Sequence, residues 1–384
     1  MRFIATTKLG LESVTAFQLK KLDLNDVQNA DANVSFSGGF EDMARALLYL
    51  RTAERLLLEV GSFEATTFEA LFEGVKAVDW KPFLTPHSRI HVNGKSAKST
   101  LFSVSDCQSI AKKAIVESLK AAYHKDRIPE DGAEVIVEVG LLRDRVTVAL
   151  DCCGAGLSRR GYRTYNVAAP LSETLGAGLI LLSRYWPDTP FIDPMCGSGT
   201  MPIEAAMIGN NKAPSLNRRF AAEDWPFLDD SIFPKARERA REEERHDRLP
   251  IFGYDIDERS VAVARRHAEK AGVEVHWEVR PVQKLKTDYE KGLLLCNPPY
   301  GERMLTGKEA ADLYRDMRRV FDGFPGWNVG IISGMDNFEK VYGKRADKRR
   351  KLSNGGLSCT FYQYFPEQVR ERKNILNGDK PNGT

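Results

Sequence analysis

The segment of residues 191–208 constrains the fold more than any other part of the chain. It reads as a short apolar strand, FID, followed by the turn PMCGSG and a stretch with helical spacing that begins at Thr200. Two closely spaced glycines between a strand and a helix let the backbone approach a nucleotide-like ligand at the carboxyl edge of a parallel sheet. The segment therefore predicts an α/β fold with a cofactor site at this turn.

The order of elements divides the chain into two parts. After residue 170, helical and strand patterns alternate as far as the strand NVGIIS at 328–333, which predicts a doubly wound, mostly parallel sheet. Residues 1–150 mix short strands with helices and carry no glycine-rich phosphate loop or catalytic triad. We expect the first part to bind a partner and the second part to catalyse.

Composition excludes several classes of protein. With 42% hydrophobic and 28% charged residues, the chain is neither disordered nor fibrous. The formal net charge of +3 is too small to establish a polyanionic partner without local evidence. None of the six cysteines forms the C-x-x-C pair of zinc sites, and no apolar stretch reaches the roughly 18 residues of a membrane span. We expect a cytoplasmic protein that needs no metal and contacts no membrane.

Two acids follow the predicted strands of the cofactor site. Asp193 precedes the glycine turn, where a carboxylate can face the amino group of a cationic amino-acid moiety. Asp255, in the motif GYDID, ends the next strand and is placed to accept hydrogen bonds from ribose hydroxyls. Asp257 is expected to cap the helix that begins near Glu258. A nicotinamide site is disfavoured, because Pro202 replaces the third glycine and Asp255 lies far beyond the usual spacing of about 20 residues.

The motif NPPY at 297–300 follows the apolar strand LLLC and indicates the chemistry. An exocyclic amine of a nucleobase is a weak nucleophile, because its lone pair is delocalised into the ring. The side-chain oxygen of Asn297 and the main-chain carbonyl of Pro298 can accept its two hydrogens and aim the lone pair at an electrophilic methyl group. Pro299 stiffens the loop, and Tyr300 can stack on the base. These four residues predict a catalytic site for amine methylation.

DPMCGSGT, GYDID and NPPYGER together resemble the class I S-adenosylmethionine-dependent methyltransferases that modify exocyclic amines. GAGLSRRGYR, AAPLSETLGAGLI and DPMCGSGTMPIEAAM are similar to the RNA methyltransferases in which a THUMP domain precedes the catalytic domain, most of all to the RlmL-type bacterial 23S rRNA guanine-N2 methyltransferases. The resemblance implies a Rossmann-like methyltransferase domain at 171–384, preceded by an α+β region. That region comprises a ferredoxin-like part at 1–65, a THUMP RNA-binding domain at 66–153 and a linker at 154–170.

The resemblance also implies which residues bind the cofactor, S-adenosylmethionine. They lie before the glycine motif, within it and at the end of the next strand: Ala169, Pro170, Leu171, Asp193, Pro194, Met195, Cys196, Gly197, Gly199, Thr200, Asp255 and Ile256. After the third strand, the acid that usually meets the adenine amino group is replaced by RPVQKL, in which Gln283 is the candidate. Asn297 to Tyr300 would hold the target guanine.

Basic residues offer two candidate RNA surfaces. Arg159, Arg160 and Arg163 lie with Tyr162 between the binding and catalytic parts, where cations can neutralise phosphates and a ring can stack on a base. We expect these four residues to contact RNA. A second basic run, at 344–351, fits RNA contact and a solvated surface equally well.

The expected function is methylation of a guanine N2 amine in large-subunit rRNA or in an assembly intermediate. The residues leave three alternatives open, namely a tRNA guanine-N2 methyltransferase, a nucleic-acid adenine-N6 methyltransferase and a non-catalytic RNA-binding factor of ribosome assembly. The same catalytic residues would serve the first two. The third is disfavoured by the intact Asp193, Gly197, Gly199, Asp255 and Asn297.

Overall fold

The computed structural model of the chain describes residues 1–163, 171–299 and 307–366. Within them the chain forms two compact units. The first unit consists of Met1–Thr7, Thr15–Leu157 and Ser215–Glu242, and the second of Lys8–Val14, Ser158–Pro214 and the described residues from Glu243 onward. The stretch expected to form one catalytic domain, 171–384, is thus interrupted by a segment that packs in the first unit. The boundaries proposed from the sequence stay predictions.

The elements of the first 151 residues build a mixed sheet covered by helices. In chain order they are β1 (Arg2–Thr7), α1 (Glu12–Lys21), β2 (Asn25–Ala30), β3 (Asn33–Ser37), α2 (Phe40–Tyr49), β4 (Ala53–Glu64), α3 (Phe68–Lys76), β5 (Arg89–Ala97), α4 (Val104–Tyr123), β6 (Glu134–Leu142) and β7 (Arg145–Asp151). Their sheet has the order β2-β3-β1-β4-β7-β6-β5, and within it β5 and β6 run parallel while the other neighbours run antiparallel.

Alternating apolar residues determine which face of this sheet is buried. In β6, Val135, Val137 and Val139 are all buried, because β-branched side chains at every second position point to the same face. β2 has no such pattern, since its sequence is NDVQNA and it is almost fully exposed. Its pairing with β3 is therefore not readable from hydrophobicity.

The later elements alternate strand and helix, as expected. In chain order they are α5 (Glu173–Leu182), β8 (Phe191–Asp193), α6 (Thr200–Gly209), α7 (Ile232–Glu242), β9 (Ile251–Asp255), α8 (Glu258–Ala271), β10 (His276–Val279), β11 (Lys291–Cys296), α9 (Gly307–Phe321), β12 (Gly326–Ser333), α10 (Phe338–Tyr342), β13 (Lys348–Asn354) and β14 (Leu357–Tyr364). Among them, α7 belongs to the first unit.

The strands of the second unit form a sheet in the order β10-β9-β8-β11-β12-β14-β13. The first five strands in this order, from β10 at the edge to β12, run parallel to one another. Strand β14 runs antiparallel to both of its neighbours, β12 and β13. The strand order reverses beside β8, with β9 on one side and β11 on the other. Ligands of doubly wound folds bind outside the carboxyl ends of the strands at such a point. The predicted fold class is confirmed, and the topology selects the ends of β8, β9 and β11 as the candidate site.

Arg218 fastens the segment at 215–242 to the rest of the first unit, and Arg237 stabilises the segment internally. Arg218 donates to the carbonyl of Gly156 at 2.7 Å, and its guanidinium lies 5.1 Å from the ring centroid of Phe220. Arg237 pairs with Glu223 at 2.7 Å. These contacts combine paired charge with cation–π stacking, which is stronger in partly desolvated positions than at an open surface. The segment is therefore an integral part of the first unit.

The basic run at 344–351 serves the fold at several of its positions. It runs into β13, where Arg350 donates to the carbonyl of Gly10 at 2.6 Å. Arg349 pairs with Glu339 at 2.9 Å. The sequence did not predict the β13–β14 hairpin, because charged residues conceal the alternation in β13. Separately, none of the helices in the described part of the chain is long and apolar enough to span a membrane.

Replacing Gly253 with alanine tests the packing beneath β9. A Cβ atom at Gly253 would lie 2.2 Å from the ring of Trp277, so the buried ring must shift. We expect Gly253→Ala to lower the free energy of unfolding in urea by about 1–3 kcal/mol. Gly140→Ala is the matched control, because a Cβ atom at that strand glycine has nothing within 4 Å. Equal losses in both variants would contradict the packing argument.

Candidate active site at the carboxyl edge of the second sheet

A glycine loop connects β8 to α6. Gly197 has φ +52° and Gly199 has φ +85°, which are left-handed conformations that side chains other than glycine adopt at a cost. At Gly199 a Cβ atom would also lie 2.7 Å from Trp277 and 2.9 Å from the Cβ atom of Ala264. Both the backbone conformation and the space around it therefore require glycine. At Gly197 a Cβ atom would meet no described atom within 4 Å, and the predicted contact of this loop with a ligand stays a prediction.

The carboxylate of Asp255 closes this loop. Its Oδ2 atom accepts a hydrogen bond from the Gly197 amide at 2.8 Å, and its Oδ1 atom accepts one from the Asp257 amide at 2.9 Å. The Cys196 amide donates to the carbonyl of Tyr254 at 2.8 Å. Each carboxylate oxygen retains a second lone pair, so the predicted acceptance of ribose hydroxyls is compatible with these bonds. The structural role of Asp255 was not visible from the sequence.

Asp193 is an acid buried at the end of β8. It is 1% exposed and accepts a hydrogen bond from the Met195 amide at 3.1 Å. Burial raises the pKa of its carboxyl well above the ordinary value, the charge of Asp255 adds to this rise, and the Met195 amide opposes it. A cationic amino group bound beside Asp193 would favour the ionised carboxylate. Asp193 therefore suits the amino-acid end of the predicted cofactor.

Two neighbours of Asp255 differ in role. Asp257 caps α8 by accepting hydrogen bonds from the amides of Arg259 and Ser260 at 3.2 and 3.1 Å, which confirms the structural role expected of it. Ile256 is 73% exposed at the same edge, where an apolar side chain can cover a ligand, and its cofactor contact stays a prediction. Gln283 donates to Asp316 at 3.0 Å. Its amide is therefore already engaged with α9.

The loop after β11 presents an unsatisfied acceptor. The Oδ1 atom of Asn297 is buried and has no hydrogen-bond partner among the residues that the structure describes. Leaving a buried polar group unpaired costs about 1–3 kcal/mol, and such groups in native proteins call for an explanation. The carbonyl of Pro299 accepts a hydrogen bond from the Tyr314 hydroxyl at 3.3 Å, and the same hydroxyl shares a second bond with Ser333. Tyr314, which sequence reasoning missed, thus holds the loop.

Some predicted residues lie outside the described part of the chain. These are Ala169, Pro170 and Tyr300.

Leu171 and Thr200 are described and buried, and Arg163 connects them by donating to the Leu171 carbonyl at 2.9 Å and to Thr200 Oγ1 at 2.7 Å. Arg163 also lies 3.5 Å from the carboxylate of Glu173. It therefore joins the start of α5 to the start of α6.

The predicted RNA contacts of Arg160 and Tyr162 need correction. The side chain of Arg160 is 1% exposed and pairs with the fully buried Glu204 of α6 at 3.3 Å. The hydroxyl of Tyr162 donates to the same carboxylate at 3.4 Å, and Tyr162 is 3% exposed. A buried cation needs such a partner, and breaking the pair is costly. These two side chains stabilise α6 instead of facing RNA, whereas Arg159 is exposed and its RNA contact stays a prediction.

A buried histidine supports the glycine loop from α8. His267 Nδ1 lies 3.1 Å from the carbonyl oxygen of Ser198, and the side chain is fully buried. A carbonyl can only accept, so Nδ1 carries the proton. Burial lowers the pKa of His267, which favours the neutral imidazole. The position reads as an ordinary helix residue in the sequence, so only the structure reveals this contact.

Family models match most of the chain. The model described as an RMKL-like methyltransferase domain covers residues 160–363, the RlmL ferredoxin-like domain covers 2–57, and the THUMP domain covers 65–151. The two amino-terminal matches agree with the α+β region expected from the sequence.

Individual relatives are similar over the same length. YpsC of Bacillus subtilis, a candidate RNA methyltransferase by its name, is 43% identical over 97% of this chain and 98% of its own length. A Marinobacter nauticus protein named ribosomal RNA large subunit methyltransferase K/L is 34% identical over 96% of this chain and 53% of its own length. The crystal structure of SMU.472, a candidate methyltransferase complexed with SAH, has a TM-score of 0.90 and 42% identity, and the match covers 95% of this chain and 98% of that one.

The sheet order, the glycine loop and the acid after β9 define a class I methyltransferase. The chain belongs to the RMKL-like methyltransferase family, in the form that carries a ferredoxin-like domain and a THUMP domain. It is a methyltransferase of this family, and its methyl donor is S-adenosylmethionine. The chain spans about half the length of the K/L relatives that it matches.

Lowering the pH should destabilise the folded state through His267, which supports the glycine loop. The pKa of His267 is lowered in the folded chain, so the unfolded chain binds the proton first as the pH falls below about 6.5. The folded state therefore loses stability from that pH down to the lower pKa of the folded histidine. His267→Asn can donate to the Ser198 carbonyl without titrating, and we expect a smaller fall in Tm between about pH 7.5 and 5.

His267→Phe provides the control for this titration. It also removes the titrating group, but it leaves the Ser198 carbonyl without its partner, so its Tm should lie below that of His267→Asn at every pH. Isothermal titration with S-adenosylmethionine should show weaker binding for His267→Phe than for His267→Asn, because the carbonyl belongs to the glycine loop. Identical pH profiles in wild type and His267→Asn would exclude the role of this histidine.

Proposed function

We propose that the chain methylates the exocyclic N2 amine of a guanine in 23S rRNA. The observation that carries the proposal is the buried, unpaired Oδ1 atom of Asn297 at the end of β11. An amine with two hydrogens would donate one hydrogen bond to this atom and a second to the carbonyl of Pro298. The names of the K/L relatives support large-subunit rRNA as the substrate.

The residues of this site would position the amine and the cofactor separately. The glycine loop, Asp193 and Asp255 fit the cofactor, because they offer open main chain, a buried acid and a further acceptor at one edge of the sheet. When bound there, S-adenosylmethionine supplies an electrophilic methyl group. Asn297 and Pro298 would accept hydrogen bonds from the two amine hydrogens. These bonds would orient the nitrogen lone pair towards the methyl group of the cofactor. The proton released by the methylated amine passes to solvent.

The proposed reaction needs Asn297 and Pro298 to be held in place, and Tyr314 holds the adjacent Pro299. Its hydroxyl anchors the Pro299 carbonyl, and its ring packs edge-on at 5.1 Å from Phe338. Misplacing a reacting group by about 1 Å can cost a hundredfold in rate. Tyr314 is therefore a positioning residue that acts through the main chain of the loop.

The proposed compartment is the cytoplasm, where rRNA is available for modification. All six cysteines are unpaired, buried thiols. Thiols that remain reduced are typical of a reducing compartment.

The substrate is identified by the methylated nucleoside. Tritium transfer from labelled S-adenosylmethionine to total RNA of a strain lacking the protein, followed by nuclease digestion, should yield N2-methylguanosine in 23S rRNA. The same nucleoside in tRNA would retain the chemistry and replace the proposed RNA. N6-methyladenosine would replace the proposed base. If the protein neither binds the cofactor nor labels naked RNA or assembly intermediates, a non-catalytic assembly factor would be favoured.

Asn297→Ala tests the acceptor directly. Loss of one preorganised polar contact to the reacting group should lower kcat by about a hundredfold or more. The affinity for S-adenosylmethionine, measured by isothermal titration, should remain within about twofold of the wild-type value. Asn297 lies in the loop after β11 and not in the glycine loop. Near-normal turnover in this variant would refute the mechanism.

Tyr314→Phe tests the positioning role. We expect a fall in kcat of about tenfold with little change in cofactor affinity, because the hydrogen bonds to Pro299 and Ser333 are lost. Tyr342→Phe is the matched control, since Tyr342 is buried in the same aromatic cluster and its hydroxyl makes no hydrogen bond among the described residues. Similar losses in both variants would mean that general packing, and not loop anchoring, is responsible.

A further inference from the structure

A basic and aromatic surface lies at one edge of the first sheet. The parallel strands β5 and β6 end side by side there, at the paired residues Ala97 and Leu142. The surface, called the loop edge below, consists of the ends of these strands, the loop 98–103, the turn 143–144 and Arg145 at the start of β7. The loop edge lies within residues 65–151, which match the THUMP domain, and it is distinct from the basic residues at 159–163 and 344–351.

Hydrogen bonds hold the loop edge in one conformation. The Arg143 amide donates to the Ala97 carbonyl at 3.2 Å, and the Asp144 amide donates to the Ser99 hydroxyl at 3.0 Å. The Asp144 carboxylate accepts from the Thr100 amide at 2.6 Å. The carbonyl of Asp144 accepts from the Ala65 amide at 2.9 Å, which ties the end of β4 to the turn. Two loops and a turn are thus fastened to one another, which lowers the entropy cost of binding a partner.

This ordered edge displays an aromatic ring to solvent. Phe102 is 83% exposed, although the adjacent Leu101 is 6% exposed and anchors the loop. Leu142 at the end of β6 is 48% exposed. A ring held out on a fixed loop gains nothing from burial in the fold, which favours a binding role for it.

The loop edge also carries four cations. Lys95, Lys98, Arg143 and Arg145 are all exposed, and none of them forms an ion pair within the described part of the chain. Of the nearby acids, Asp144 is engaged with Thr100, and Glu64 lies opposite Arg145 in the register of β4 and β7. The loop edge therefore combines four exposed positive charges with one exposed aromatic ring.

We propose that the loop edge binds a single-stranded segment of RNA. Phe102 stacks on a base, while Lys98 and Arg143 neutralise neighbouring phosphates; single-stranded RNA is commonly recognised by this combination of aromatic and basic groups. A protein partner fits less well, because lysine is depleted at protein interfaces and the apolar area of Phe102 and Leu142 is small. The inference rests on the proposed function, for which this surface supplies affinity for the RNA substrate.

RNA binding by the full chain tests the loop edge without catalysis. The probe is a fluorescein-labelled RNA hairpin with a single-stranded tail of about ten adenylates, and binding is followed by anisotropy at several KCl concentrations. Phe102→Ala should raise Kd roughly tenfold through loss of one stacked base. The double variant Lys98→Gln, Arg143→Gln should reduce the slope of log Kd against log salt by about 1.4, the value for two phosphates of a single strand.

The helix α1 supplies matched controls in the same unit. Phe17 is 61% exposed on α1, and Lys20 and Lys21 are exposed at its end. Phe17→Ala and the double variant Lys20→Gln, Lys21→Gln should leave Kd and the salt slope within error of wild type. Unchanged RNA affinity in Phe102→Ala, or equal losses in the α1 variants, would overturn the proposal and favour a protein partner at the loop edge.

Methyl transfer separates this proposal from the proposed function. If wild type methylates RNA while Phe102→Ala binds the hairpin normally, the loop edge is refuted and the proposed function stands. If Phe102→Ala loses affinity but wild type transfers no methyl group to any RNA, RNA binding by the loop edge is supported and the proposed function is refuted.

Discussion

The shape of the glycine loop, the candidate cofactor site, depends on the carboxylate of Asp255. One oxygen fixes the Gly197 amide and the other fixes the Asp257 amide, so a single side chain at the end of β9 determines the glycine loop and the entry into α8. The loop cannot maintain this conformation alone, since its glycines are the least restrained residues of the chain. Its other supports also come from neighbouring elements, through Trp277 against Gly199 and His267 against Ser198. The precision of the site is therefore a property of the sheet and of α8.

The two sides of the site differ in how completely their polar groups are satisfied. On the cofactor side, Asp255 already accepts two main-chain hydrogen bonds and Asp193 accepts one. On the substrate side, the Oδ1 atom of Asn297 is buried without a partner among the described residues, although Tyr314 fixes the main chain of the same loop. An acceptor that is held still and left unpaired is suited to a donor that arrives from outside. Such an arrangement would stabilise a bound amine at the expense of the stability of the free protein.

Local sequence patterns were sufficient for the fold class and for the positions of Asp193, Asp255 and Asn297, because each follows an apolar strand whose carboxyl end reaches the same edge of the sheet. The strand β2 and the β13–β14 hairpin escaped prediction, since polar and charged residues obscure their alternation. Arg160 and Tyr162 were assigned to RNA because a sequence shows charge and aromaticity but not burial. Their partner, Glu204, lies on α6 and becomes visible as a partner only once the chain is folded. His267 and Tyr314 were missed for the same reason.

The path of the chain through the two units has a consequence for its synthesis. The first unit includes Ser215–Glu242, and Arg218 fastens this segment to the carbonyl of Gly156 in the amino-terminal half. A ribosome must therefore translate β8, the glycine loop and α6 before the first unit can be completed. Until residue 242 has left the exit tunnel, the nascent first unit lacks the segment Ser215–Glu242 and cannot complete its packing. Translation order thus couples the maturation of the two units, and neither can be exchanged between proteins by a single cut in the gene.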